Sequence, residues 1–210
     1  NETNEIINKN LFIEKMRTLI DSYGAKITIG EIGDDKPYER SAEYTQTGRL
    51  YTAYNTEMMS GMHSKLTAAT IREPIEQFLA HGGKKSWPSW AFSNHDVVRA
   101  ASRWCVEGEG FGHDPRLSKM LIALVGSLYG NPFLYMGEEL GLPEARVAFE
   151  DLQDPWGKET YYKGWQGRDG CRTMFPWTEE INAISGWLPV AQTHIPLCAA
   201  NQERDENSTL

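Results

Sequence analysis

Trp90-Ala91-Phe92-Ser93-Asn94-His95-Asp96-Val97-Val98-Arg99 opens as an apolar, aromatic run of strand length and closes on Asn-His-Asp with a basic residue behind it. A buried strand that ends in a polar cluster carries its chemistry at its C-terminal end, where parallel α/β barrels place their reactive side chains. A capped turn into a helix is the structural alternative. Three polar residues in succession after an aromatic run are a poor strand ending for stability alone, so the stretch reads as a site.

The same rhythm recurs on both sides of it. Lys26 to Gly30 is a short β-branched strand that ends at Glu31. Leu50 to Met59 is the next, with Tyr51 and Tyr54 and a polar end at Glu57. Phe133 to Met136 is the fourth and runs into Gly137-Glu138-Glu139. Helical periodicity fills the intervals. Asn1 to Tyr23 places Phe12, Met16, Leu19 and Ile20 on one face. Thr67 to Ala80 does the same with Ile71, Ile75, Phe78 and Leu79, stopped by Gly82 and Gly83. A start near Thr70 would put Pro74 in the first turn, where its missing amide costs nothing. Leu117 to Tyr129 is a strongly apolar helix.

Two stretches lack any period. Gly108 to Gly112 is glycine-rich but does not join a strand to a helix in dinucleotide-binding register, so it reads as a loop. Gly141 to Trp187 is dominated by Gly, Pro, Asp and Trp, and so long a loop inside a compact domain is usually functional. Asn201 to Leu210 reads as the start of a helix, with Asp205 as cap and Leu210 as first core residue.

Strands alternating with helices build a parallel sheet. Four strands are half of an eight-stranded barrel, and left open they would expose two unpaired edges. The expectation is an α/β fold, the second half of a (β/α)8 TIM barrel. It fills 1–210 as one partial barrel domain, with an irregular loop region at 141–187, and the chemistry read below makes that domain the catalytic one.

Composition narrows the function. A chain of 210 residues suits one domain. A net charge of −8 without a basic block argues against nucleic acid as partner. No apolar run reaches membrane-spanning length and no secretory signal pattern opens the chain, which points to a cytoplasmic protein with no membrane partner. Cys105, Cys171 and Cys198 are odd in number, far apart and without metal-ligand spacing, as expected of free thiols in a reducing compartment. Seven Trp and nine Tyr supply aromatic faces that can line a core or stack on a sugar ring.

Glu31 and Asp96 each end a strand, two strands apart in order. Alternate barrel strands send side chains into the same layer, so both carboxyl groups are candidates for one pocket. Glycosidic bonds are cleaved by such a pair, one carboxyl protonated and the other ionised. Taken singly, Glu31 reads equally well as a capping or salt-bridged residue.

Phe92-Ser93-Asn94-His95-Asp96, with Arg99 close behind, resembles a signature of the α-amylase family, glycoside hydrolase family 13. Ile29-Gly30-Glu31 is similar to that family's fifth-strand motif, whose Glu is general acid and base. Asn94-His95-Asp96 matches its seventh-strand motif, whose His and Asp contact the sugar in the cleaved subsite, the Asp stabilising the transition state. Asn131 to Glu139 resembles the eighth-strand motif. Phe149 to Pro155 and Gly167 to Thr173 are similar to bacterial α-glucosidases of the oligo-1,6-glucosidase type.

The resemblance covers essentially the whole chain and implies strands 5 to 8 of the barrel. It makes Glu31 and Asp96 the catalytic candidates. His95 and Asn94 become substrate-binding candidates, with Arg168 first and Arg172 second as the arginine of the glucose pocket. It implies no metal site in this stretch and no cofactor. The implied substrates are α-glucosides or malto- and isomalto-oligosaccharides, and the implied partner is the missing barrel half of the same polypeptide. Met174-Phe175-Pro176-Trp177 departs from the usual Pro-Met-x-Trp, and Thr56-Glu57 from an aromatic followed by Asp. The family's nucleophile, an Asp in a Gly-Phe-Arg-x-Asp context on the fourth strand, has no counterpart in the sequence. A fragment of a retaining α-glucosidase is therefore expected. A transglycosylase or sugar isomerase would use the same residues. A non-catalytic domain of the same family would not need Glu31, His95 and Asp96 together.

Overall fold

The computed structural model describes residues 2–59, 65–82, 86–106, 110–180 and 188–202. They divide into two compact units. The first is Asn1–Ser60, Leu66–Ala91 and Ser127–Phe133, and the second is Gly61–Lys65, Phe92–Gly126 and Leu134–Leu210.

The first unit holds a four-stranded, all-parallel sheet in the order β1-β2-β3-β4, with β1 Ile29–Glu31, β2 Thr52–Asn55, β3 Ser89–Ala91 and β4 Asn131–Phe133. Strands in sequence order, joined by helical crossovers, are what the alternating pattern requires. The inner strand β3 is buried at every position, with Trp90 and Ala91 apolar in succession and Ser89 satisfied by hydrogen bonds. Trp90 is 1% exposed, donates its indole N–H to the Tyr129 carbonyl at 2.8 Å and meets Phe78 edge-on. On the other face, Ser89 Oγ lies 2.6 Å from Thr52 Oγ1 and accepts from Asn131 Nδ2 at 3.4 Å, linking β2, β3 and β4.

Three helices accompany the sheet: α1 Glu2–Asp21, α2 Pro37–Tyr44 and α3 Ala68–Gly82. The face of α1 differs from the one read from sequence. Ile13 is buried with Ile32, Leu50 and Ala53, with Met16 and Tyr44 against them, whereas Phe12 is 67% and Leu19 59% exposed. The helix is turned by Arg17, whose guanidinium sits 3.4 Å over the Tyr51 ring and donates to the Arg49 carbonyl. In α3 the expected start near Thr70 is also corrected. Thr67 Oγ1 accepts from the Thr70 amide, so the helix begins at Ala68 and Pro74 falls in its interior. The lost amide is set against burial: Ile71, Pro74 and Phe78 form the inward stripe, while Leu79 is exposed.

The strands are shorter than their apolar runs. β4 is Asn131–Phe133 rather than Phe133–Met136. Pairing starts where the Asn131 amide meets the Pro88 carbonyl at 2.9 Å. The chain then leaves the sheet because the Tyr135 amide is taken by the Glu138 carboxylate at 2.9 Å. β2 ends as the Asn55 side chain accepts from the Glu57 amide.

The second unit contains α4 Ala100–Arg103, α5 Pro115–Ser127 up to Gly126, and a short α6 Pro155–Thr160. The region 141–187 is thus not wholly irregular: it holds α6 and 3-10 turns at Phe149–Asp151, Tyr161–Lys163 and Asp169–Cys171. Val147, Leu152 and Leu188 form its apolar cluster with Tyr161. Ala199–Asn201 is a 3-10 turn. The rest of the helix read into Asn201 to Leu210, and residues 108 and 109 of the glycine-rich loop, lie outside the described residues. Among those described, no helix is long and apolar enough to cross a membrane.

Candidate active site

Glu31 is the last residue of β1 in the first unit, exposed, and level with Tyr54 of β2. Gly30 turns toward Leu50 and Ala53, so the alternation of a strand puts Ile29 and Glu31 on the opposite face. All four strands run parallel, so β1 and β3 present their C-termini at the same end of the sheet.

The second unit brings together Asn94, His95, Asp96, Arg168 and Arg172. Asn94 Oδ1 accepts from the Asp96 amide at 2.8 Å, an Asx turn that lifts His95 and Asp96 toward solvent. Ser93 Oγ accepts from the Ala100 amide at 2.9 Å and holds the start of α4 against the same loop. The Asp96 side chain is 41% exposed. Two guanidinium groups converge on its Oδ1, Arg172 Nη2 at 2.6 Å and Arg168 Nη1 at 3.2 Å. Arg172 also donates from Nε to the His95 carbonyl at 2.7 Å, so the turn is fixed at both residues. Charge-assisted bonds of this kind fix the orientation of a carboxylate.

Residues that sequence reasoning did not single out support these arginines. Asp154, whose side chain is wholly buried, accepts from Arg168 Nε at 2.9 Å and from Arg168 Nη2 at 3.0 Å. The guanidinium holds the Asp154 carboxyl down at about 2, and the carboxylate in turn pushes Arg168 up. Asp169, 2% exposed, accepts from the amides of Gln153 and Asp154 at 2.6 and 2.8 Å. The signal available beforehand was chemical rather than periodic: two Asp–Arg-type partners, Gln153-Asp154-Pro155 and Arg168-Asp169, within one aperiodic loop.

A model of the α-amylase catalytic domain matches residues 2–210. The chain belongs to the α-amylase family. The catalytic domain of that family is a (β/α)8 barrel, and the four-stranded parallel sheet is a portion of one. A probable α-glucosidase of Rhizobium meliloti is 37% identical over 205 residues, which is 95% of this chain and 36% of that protein. Oligo-1,6-glucosidase of Parageobacillus thermoglucosidasius is 26% identical over 231 residues, covering 94% of the chain and 40% of that enzyme. Among solved structures, an α-glucosyl transfer enzyme superposes with a TM-score of 0.76 at 43% identity, over 90% of this chain and 34% of that one. The chain thus spans well under half the length of these relatives.

Beneath the Asn94-His95-Asp96 turn lies a buried polar core. Arg99 is 1% exposed and donates from Nη1 to the Met136 carbonyl at 2.6 Å and from Nη2 to the Cys171 carbonyl at 3.1 Å. Its own amide donates to Glu144 Oε2 at 2.9 Å. Tyr135 Oη donates to the same Cys171 carbonyl. Burial pushes the Tyr135 hydroxyl and the Cys171 thiol up to about 12, so both stay protonated at neutral pH.

Burial likewise raises the Glu144 carboxyl to about 7 and holds the His194 imidazole down at about 4, with His194 Nε2 against the Pro143 carbonyl. The folded Glu144 keeps a proton that the unfolded chain releases near 4.5. Its contribution to stability is therefore full below pH 4.5 and lost as pH rises through about 7, on the order of 3 kcal/mol in all. His194 acts in the opposite sense, its contribution present above 6.5 and lost as pH falls toward 4. Glu144→Gln is expected to remove the fall in stability between pH 4.5 and about 7 on a curve from chemical denaturation, and to leave the loss that His194 causes as pH drops from 6.5 toward 4. An unchanged slope between pH 4.5 and about 7 would show that Glu144 is already ionised in the fold.

Proposed function

We propose that this chain is the C-terminal part of the barrel of a retaining α-glucosidase that cleaves α-glucosidic bonds of short oligosaccharides. The observation that carries the reading is Asp96, gripped at one oxygen by Arg168 and Arg172, on the turn that follows the C-terminal end of a parallel strand. Glu31 protonates the leaving oxygen and then deprotonates water. Asp96 stabilises the oxocarbenium-like charge, His95 holds a sugar hydroxyl with Asn94 fixing their turn, and Arg168 and Arg172 reach the glucose. An Asp outside this chain attacks the anomeric carbon. The free thiols Cys105, Cys171 and Cys198 support a reducing, cytoplasmic setting.

The test is hydrolysis of maltose and isomaltose by the full-length protein, followed by NMR. Initial release of α-glucose is expected, because retaining chemistry proceeds through a covalent glucosyl-enzyme. Initial β-glucose, or no turnover of either sugar, would sink the reading. The 43% identity to an α-glucosyl transfer enzyme favours a second outcome, transfer to an acceptor sugar. In that case oligosaccharides longer than the substrate accumulate at high maltose and free glucose lags behind.

A further inference from the structure

We infer that Asp154 is a positioning residue for the reaction, aiming Arg168 at Asp96. The inference rests on the glucosidase reading above, which places Arg168 in the substrate site.

An arginine side chain has five N–H donors in one plane. Asp154 takes the side-on pair, Nε on Oδ2 and Nη2 on Oδ1, and this two-point contact fixes the plane and direction of the group. What remains pointing outward is Nη1, and Nη1 is the atom that meets Asp96 Oδ1. The Arg168 side chain is 28% exposed, while the Asp154 side chain is wholly buried, so one acts at the surface and the other beneath it.

Asp154 is itself held. Its Oδ2 also accepts from the Arg168 amide at 3.0 Å, and its Oδ1 accepts from the Trp156 amide at 3.2 Å as the N-cap of α6. Asp169 closes the arrangement from the other strand of the loop by binding the amides of Gln153 and Asp154. Two segments fourteen residues apart are thus clasped crosswise, each Asp binding the backbone that carries the other. The clasp needs the two backbones in contact. Gly167 has φ +76°, and a side chain there would meet Gly157 Cα at 2.6 Å and Asp154 Oδ2 at 2.8 Å.

Arg172 reaches Asp96 by its own route, braced on the His95 carbonyl and not on Asp154. That independence separates a positioning role from a general loss of fold. The experiment measures kcat and KM of the full-length protein on 4-nitrophenyl α-glucoside for Asp154→Asn, Arg168→Ala, Arg172→Ala and the two doubles with Asp154→Asn, each checked by near-UV circular dichroism and a thermal melt. Asp154→Asn keeps the size of the side chain but sets an amide against N–H donors. It is expected to lower kcat/KM about 10²-fold, the scale of an ångström-sized misplacement. On the Arg168→Ala background the same change should cost less than threefold, and on the Arg172→Ala background its full 10²-fold.

Arg168→Lys keeps the charge but cannot make the two-point contact. It serves as the second route should Asp154→Asn fail to fold, and it should lose at least tenfold with the melt unchanged. Losses that multiply fully in the Asp154–Arg168 pair, or an Arg168→Lys enzyme equal to wild type, would overturn the clamp while leaving the glucosidase reading intact. An Arg168→Ala enzyme within threefold of wild type would instead remove Arg168 from the substrate site, and the reading above would lose that residue.

Discussion

Glu31→Gln in the full-length protein is expected to cut kcat/KM for methyl α-glucoside by roughly 10²–10⁴-fold, the range that general acid catalysis supplies. The alkoxide of a simple alcohol is a poor leaving group, so its departure depends on a proton delivered from Glu31. A 2,4-dinitrophenyl α-glucoside needs no such proton, and its first step should stay within about tenfold of wild type. The second step still requires a base to activate water. The variant should therefore release a burst of dinitrophenolate equal to the enzyme present and then slow, the signature of an accumulating covalent intermediate. Equal losses on both substrates, without a burst, would mean that Glu31 is not the acid. Glu31 ends β1, exposed, on the face of the strand opposite Gly30.

The 210-residue chain by itself is expected to release no 4-nitrophenol from the aryl α-glucoside above a heat-killed control. The sequence holds no Gly-Phe-Arg-x-Asp stretch, so no candidate nucleophile accompanies Glu31 and Asp96. Stability points the same way. β1 and β4 are the outer strands of the sheet. An unpaired edge is a template for association. Ile27 is 68%, Ile29 46% and Leu134 50% exposed, and apolar surface of this kind drives self-association in water. Sedimentation of the isolated chain should show species heavier than 23.8 kDa. Hydrolysis well above the control would refute the expectation, since the chain would then carry a complete reaction centre.

Much of this was legible in the residues because it is set locally. The run through Trp90 reads as a buried strand because its neighbours on both sides are strands and its own positions are all buried. The turn at Asn94-His95-Asp96 was legible because a short amide side chain can bond the backbone two residues on, and Asn94 does so. The order of the sheet follows from four strands separated by crossovers, which have one favoured hand and short routes.

Tertiary structure decided what periodicity cannot encode. The face that α1 buries was set by Arg17 stacking on Tyr51, a contact 34 residues away in the chain, and that rotation leaves Phe12 and Leu19 outside. The ends of β4 were set by pairing with Ser89 and by the Glu138 carboxylate rather than by the apolar run itself. Arg168 and Arg172 were named from the sequence, but Asp154 was not. Its partners lie across an aperiodic loop, and only the close approach of Gly157 and Gly167 brings them within hydrogen-bonding distance. A pattern of apolar spacing records which side of an element faces the core. It carries no record of which buried carboxylate meets which guanidinium, because that depends on the paths of two backbones and is fixed only when both are folded.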